Sequence, residues 1–418
     1  MLHRFVVSIW DFLDRRQILE KNGSIVVIHF ICCLMTLKNK IVNTISSLKT
    51  FYIINLVVMN KTAFSFLALL FPLLFWAQSV VPFVDFNNYL RVFEKDNFQT
   101  IEFQPILSYQ AGDEFVAYID NRENLRIFNG KERKDITNLN IKYSISDHLL
   151  AYNVGTTLNM WDAGKLKTLT YFVRDYVVRD SIIVYEDTRY NSVNVYYNKQ
   201  TYVLYTVAGS LYMPTTIGDN IVAFKDNGGF YKVFHRGQIY DLGVWNGEID
   251  FKAGCDILCF NDPTQRSFAL FENGNFYDVE SQYMRKYVAG RGFIVFEDLN
   301  GNLWHYKDGE KTELTNFSPN FWEVQDDMVI WGENNYVFSF FQGEKQEVCN
   351  YIPKDYLLKN GVFAFRNIAG GVSALVNGKV EEITLQKDSE YSIHGNIVLV
   401  KLFNRSYIVL KDGQKFNS

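Results

Sequence analysis

Residues 292–314, GFIVFEDLNGNLWHYKDGEKTEL, alternate between apolar and polar positions in three short runs separated by two turn signals. Phe293–Phe296 is apolar with an aromatic end, and Asp298–Asn302 is turn chemistry. Leu303, His305 and Lys307 then alternate with Trp304 and Tyr306 before Asp308-Gly309 turns the chain into Lys311–Leu314. Period-two alternation bounded by Asp, Asn and Gly predicts three antiparallel strands, the second turn being a two-residue hairpin.

The same phrase recurs about ten times. Aligned on the aromatic that ends the first apolar run, the copies fall at Phe83, Tyr118, Tyr152, Tyr185, Phe224, Phe260, Phe296, Trp331, Phe365 and, weakened, Val400. Successive anchors are 33 to 39 residues apart. The hairpin glycine keeps the same beat at Gly130, Gly164, Gly237, Gly274, Gly309, Gly343, Gly378 and Gly413. Asn198-Lys199 stands in its place in the fourth copy and Lys95 in the first. Leu90–Phe93 (LRVF) and Leu125–Phe128 (LRIF) show the identity most plainly.

A further short β-like piece precedes the next anchor, at Ile141–Ser146, Gly209–Met213, Glu248–Phe251, Arg285–Ala289 and Phe321–Val324. Four strands in about 35 residues is the plan of a propeller blade. Both faces of each sheet need covering, so blades pack side by side with the anchors between them. The expected fold is an all-β propeller of about ten four-stranded repeats in one ring. The alternative is two smaller propellers in tandem, split near residue 245.

The matching phrase, an apolar strand ending in an acid, a Gly/Asn turn, then alternating aromatics and a second turn, is clearest in Ile294–Tyr306. In it the chain resembles bacterial β-propellers of the broad TolB-like and WD40-like kind, from Pro82 to Phe416. The Trp-Asp signatures and the forty-odd residue period are absent. The resemblance implies a fold and a binding surface, with no particular ligand.

Composition agrees with β structure: 35 Phe, 26 Tyr and 7 Trp against 7 Pro favour pleated, half-buried surfaces. The first 78 residues lie outside the repeats. Met59-Asn60-Lys61, the apolar run Phe64–Trp76 and Ala77-Gln78-Ser79 read as a secretory signal peptide. Residues 1–58 are then an over-extended gene start, residues 59–78 the signal and residues 79–418 the repeat domain. The rival is a real N-terminal extension, with Leu2, Phe5, Val6, Ile9, Trp10 and Leu13 on one helix face and a short apolar run at Ile25–Met35. No window reaches eighteen uninterrupted apolar residues, so no spanning helix is expected. The expected destination is export, to periplasm, outer surface or medium.

That leader carries eight Lys/Arg and three Asp/Glu, leaving 34 basic against 43 acidic groups, a net charge of −9. So acidic a chain has no phosphate-backbone footprint, which argues against nucleic acid as a partner.

Two residues past each anchor stand Asp85, Asp120, Val154, Asp187, Asp226, Asp262, Asp298, Glu333, Asn367 and Leu402. A ring of cation ligands is one reading. Asp and Asn at a strand end also bond their own backbone two residues on, so each copy needs one for its own turn, and that reading is preferred. No Asp-x-Asp-x-Asp-Gly calcium loop occurs, and Asp298–Trp304 fails the Asp-box of sialidases, with Leu303 where Thr is needed. Cys255, Cys259 and Cys349 read as small buried hydrophobes, although a pair among them could bridge. His148, His235, His305 and His394 fall at different phases of the repeat and read as scattered surface or turn residues. No catalytic, cofactor or metal residues are assigned, and no cofactor is expected.

The longest repeat contains Tyr202–Thr216, an elongated strand or loop that is either an irregular blade or a functional departure. Ser406–Phe416 resembles the sorting tails of some Gram-negative secreted proteins but keeps the register of a last blade. Its final strand is expected to close on the N-terminal copy, whose first strand is missing. Tyr190, Tyr196, Tyr197, Trp245, Trp304 and Tyr336 are candidate exposed aromatics for contact. The expectation is a non-enzymatic binding or scaffold protein of the cell envelope, recognising an unknown protein or glycan. A glycan-active hydrolase or lyase and a purely structural surface protein are the alternatives.

Overall fold

Why each phrase makes three strands is visible at its turns. The computed structural model describes residues 79–139, 141–244 and 247–418, and the leader expectations lie outside these residues. At the hairpin, Asp308 and Gly309 take φ of 51° and 84°, the paired left-handed geometry that follows strand twist. Asn198-Lys199 (46° and 67°) and Lys95-Asp96 (51° and 58°) take the same shape without glycine. The other turn is held by the acid column. Asp298 Oδ1 accepts the N–H groups of Asn300 and Asn302 at 2.8 and 2.9 Å, and Asp120 does the same for Arg122 and Asn124. The six aspartates of the column and Asn367 are turn chemistry, whereas Glu333 accepts from the Thr315 hydroxyl.

The strands assemble into ten antiparallel sheets, at 81–105, 108–137, 143–170, 173–206, 216–241, 252–280, 286–315, 321–349, 356–384 and 390–417. Among the described residues nine sheets have four strands and the first has three. In each four-stranded sheet the first strand is innermost and the fourth is an exposed outer edge, as in Glu344–Cys349. Two of the inner pieces lie elsewhere than expected. Thr216–Ile217 and Lys252–Ala253 form the inner strands, while Gly209–Met213 and Glu248–Phe251 are irregular. Register decides the position: the residue seven before the anchor always pairs with the one two before it, as in Ile217↔Val222 and Ala253↔Leu258.

All ten anchors are buried, from Phe83 to Val400. They fill ten apolar clusters, one at each joint between neighbouring sheets. One cluster runs across residue 245, where Val244 and Phe251 pack with Phe260 and Phe271. Another joins Phe83 and Phe93 of the first blade to Tyr407 and Val409 of the last. The blades therefore form one ring, which rules out the tandem pair.

The final strand does not close on the first copy as expected. Gln414–Asn417 pairs with Tyr407–Lys411 in its own sheet, through Val409↔Phe416 and Leu410↔Lys415. Closure is by side chains: Phe83 on Tyr407 at 4.4 Å, Phe93 on Phe416 at 5.0 Å, and the Tyr407 O–H donating to the Val84 carbonyl at 2.6 Å. The long repeat is an irregular blade, its extra loop folded inward by buried Leu211 and by Tyr205, which donates to the Tyr212 carbonyl.

Candidate functional site

Among the described residues the first blade has no inner strand, and a cleft of about 680 Å³ lies along its Val81–Val84 edge. Its floor is Phe83, Leu399 and Tyr407 of the joint between first and last blades. Its rim carries Asp85, Phe86, Asn88 and Arg405, and its sides carry Tyr109 of the second blade and Glu390, Tyr391 and Lys401 of the tenth. Tyr109 shows what the missing strand does. It stands nine residues before its anchor, where Tyr143, Phe251, Tyr287 and Trp322 are 6–9% exposed, yet it is 37% exposed.

The polar groups of the cleft are largely committed. Asp85 Oδ1 accepts from the N–H of Asn87 and of Tyr89 at 2.8 and 3.0 Å. Lys401 Nζ donates to Glu390 at 2.9 Å, and the Tyr391 O–H donates to Asp355. Burial, and then the Tyr407 hydroxyl, push the Tyr109 phenol above its ordinary pKa, so it stays a neutral donor. The cleft offers aromatic faces and hydrogen bonds; Ser392 Oγ on its wall lies 2.9 Å from His394 Nε2, but among the described residues no carboxylate is hydrogen-bonded to that imidazole to orient it.

A second constellation, which sequence reasoning missed, lies where the turns between first and second strands meet. Five residues before the anchor stand Asp113, Asp147, Asp180, Asp219 and Asp326, with Cys255, Arg291, Asn360 and Gly395 in the other blades. Each turn is stitched to a neighbour: the Asp147 N–H donates to Asp180 Oδ1, the Asp180 N–H to Asp219 Oδ1, and the Cys255 N–H to the Gly290 carbonyl. The approach is so close that a Cβ on Gly254 would lie 2.0 Å from the Gly290 carbonyl oxygen. Lys359 Nζ of the ninth blade reaches Asp113 at 2.8 Å and Asp147 at 2.9 Å, in the second and third. Side chains thus span the ring at this end, which is not an open bore. The signal in the sequence is an acid at a fixed offset, five residues before the anchor, in five of the blades.

The electrostatics are those of crowded acids. Burial, then the Asp180 charge, raise Asp219 to about 6. Burial, then Asp113 and Asp180, raise Asp147 to about 6, whereas Lys359 overcomes burial to hold Asp113 below its ordinary value. Among the described residues no group of three or more His, Cys, Asp or Glu has the geometry of a metal site.

A pH dependence follows. Asp219 has a folded pKa above its unfolded one, so its contribution is full below about pH 4 and is lost as pH rises through 6. Asp219→Asn keeps the oxygen that accepts the Asp180 N–H. It is expected to leave stability unchanged at pH 4 and raise it by about 1–3 kcal/mol at pH 7.5. Urea unfolding at both pH values checks this, and an equal effect at both would contradict it.

The remaining candidates separate. Cys255, Cys259 and Cys349 are free thiols, and burial pushes the Cys255 thiol up to about 12, away from nucleophilic use. His148 is exposed, but His235 and His305 are buried rather than on the surface. His235 packs edge-on against Phe271 and bonds Asp256 at 3.0 Å, and His305 lies between Phe293 and Phe340, its pKa lowered by burial to about 4. Burial likewise lowers His394 to about 4. Of the candidate contact aromatics, Tyr190 and Tyr336 are exposed. Tyr196 is buried, and Tyr197 and Trp304 are half-buried against core clusters, because alternate residues of a middle strand face the adjoining blades. Trp245 lies outside the described residues.

A family model described as a 10-bladed beta propeller domain matches residues 74–416. The chain belongs to that family. No curated protein matches the sequence. Among solved structures, the propeller is similar to the computationally designed Ika8 protein, at 15% identity and a TM-score of 0.33, over 64% of this chain and 94% of that one. It is similar to PorZ, a bacterial surface component of the type-IX secretion system of Porphyromonas gingivalis, at 10% identity and a TM-score of 0.29, over 75% of this chain and 46% of that one. It is also similar to the CRINKLY WD40 ectodomain of the Arabidopsis thaliana receptor kinase ACR4, at 8% identity and a TM-score of 0.28, over 65% of this chain and 94% of that one. Overlaps this distant carry no functional argument. The propeller fold itself suggests a protein-binding or scaffold role, and among the described residues no helix is long and apolar enough to cross a membrane.

Proposed function

We propose that this propeller is an exported, non-enzymatic binding or scaffold protein of the cell envelope that holds a protein or glycan at the cleft between its first and last blades. One observation carries the reading: the cleft leaves aromatic faces uncovered, Phe86 at 67% and Tyr109 at 37%, while its carboxylates are spent on a turn and an ion pair. Rigid aromatic surface supplies contact at low entropic cost, whereas catalysis needs uncommitted groups converging on a reacting atom. Export rests on the signal pattern of Met59–Ser79.

The test incubates protein beginning at Gln78 with a panel of polysaccharides and envelope extracts, measuring retention and product release together. Retention without turnover is expected, with Phe86→Ala and Tyr109→Ala each weakening it about tenfold. Turnover that vanishes on replacing one acid or histidine would make the protein an enzyme, and absence of any retention would leave a structural role.

A further inference from the structure

The nine complete blades agree on what an inner strand looks like. Eight of nine carry an aromatic nine residues before the anchor, Thr215 being the exception. Seven residues before it, all nine carry Ala or an aliphatic, such as Ile145, Leu358 and Ile393. The pairing never varies: Tyr143↔Tyr152 and Ile145↔Leu150 in the third blade match Tyr356↔Phe365 and Leu358↔Phe363 in the ninth. The aromatic leans on the blade before it, as where the Tyr143 hydroxyl donates to the Ala117 carbonyl and the Tyr287 hydroxyl to the Asp250 carbonyl.

In the first blade no such strand occurs among the described residues, and Val81–Val84 is their inner edge. The Asp85 N–H bonds the Tyr89 carbonyl, so Phe83 and Val81 also face Arg91 and Phe93, and Val80, Pro82 and Val84 face outward. The edge is partly blunted. Pro82 has no N–H, the Val80 N–H donates to the Asp113 carbonyl, and Tyr407 covers the Val84 carbonyl. Among the described residues the Val84 N–H and the carbonyls of Pro82 and Val80 have no partner, and they suit a strand laid along this edge.

We propose that the cleft receives an extended segment of a partner protein as the inner strand of the first blade, antiparallel to Val81–Val84, with an aromatic residue two places before an aliphatic one. The inference rests on the binding reading above and names its ligand. The aromatic fits the hollow beside Tyr391, Leu399 and Tyr407, and the aliphatic pairs with Val81. The chain's own residues at these positions are Leu74 and Trp76, which invert the aromatic-then-aliphatic order and fall in the signal segment removed on export. A mature chain beginning at Gln78 has no residues left to fill the place.

The experiment uses the exported protein and a fluorescent hexapeptide, RKYVAG, the sequence of residues 285–290. Anisotropy should report saturable binding. Binding should weaken about tenfold or more when the peptide tyrosine becomes alanine, or when its valine, whose N–H would meet the Pro82 carbonyl, is N-methylated. A protein whose residues 72–77 are replaced by the same six residues, placed after the cleavage site, should fold and lose the site. Equal binding of the N-methylated peptide, or undiminished binding to the filled protein, would overturn strand addition. No peptide binding with polysaccharide still retained would also overturn it, leaving the binding reading intact, and loss of both would remove that reading too. Finding residues 74–77 still present on the exported protein would make the occupant the chain itself.

Discussion

Trp331→Ala is expected to lower stability by about 3–5 kcal/mol, while Trp331→Phe costs less than about 1.5 kcal/mol. Trp331 is fully buried between the seventh and eighth blades, with Phe338 stacked 5.7 Å away and Val295 and Leu303 in the same cluster. Alanine leaves a cavity between two sheets that cannot collapse without moving a whole blade. The indole N–H separates the two variants. It is buried with no hydrogen-bond partner among the described residues, so phenylalanine removes an uncompensated donor along with part of the ring. Chemical denaturation of both variants decides the point. Equal losses would mean that the N–H is bonded and that ring volume matters less than that bond.

Lys359→Met should destabilise by about 2–3 kcal/mol at pH 8, and by distinctly less at pH 5. The ammonium bridges Asp113 and Asp147, whose side chains are 19% and 15% exposed, and without it two carboxylates face each other. Both folded pKa values then rise, Asp113 from below its ordinary value and Asp147 from above it, so the loss grows as pH rises and shrinks when protonation removes the repulsion. Adding Asp113→Asn and Asp147→Asn should recover most of the stability at pH 8. Thermal unfolding at the two pH values checks the sign, and a loss independent of pH would show that Lys359 contributes through packing alone.

The fold was legible because each repeat carries its own local rules: a turn acid, a hairpin glycine and an aromatic that needs burying. Written ten times, those rules give blade number and register without long-range information. Closure was legible only in part. That Leu74 and Trp76 break the aromatic-then-aliphatic pattern of the inner strands is visible in the sequence, but what the last strand pairs with depends on geometry across the whole ring, and Gln414–Asn417 stays within its own blade. The burial of the histidines is not legible in the sequence, because periodicity does not say which side of a middle strand faces a neighbour. His305 between two phenylalanines looks in sequence like any polar residue of an alternating strand. The cleft was illegible because its walls, Tyr109, Glu390 and Tyr407, lie far apart in sequence and only ring closure brings them together.

Among the described residues the seam between first and last blades shares no strand, so each sheet is a self-contained wedge and meets its neighbours through side chains and a few turn-to-turn backbone bonds. A gene encoding such a ring can lose or duplicate one repeat without cutting any sheet, provided the new neighbours' faces still interlock. Copy number in this architecture is therefore open to change by recombination between repeats, and the aromatic-rich faces, nearly alike from joint to joint, make each wedge an acceptable neighbour for most of the others.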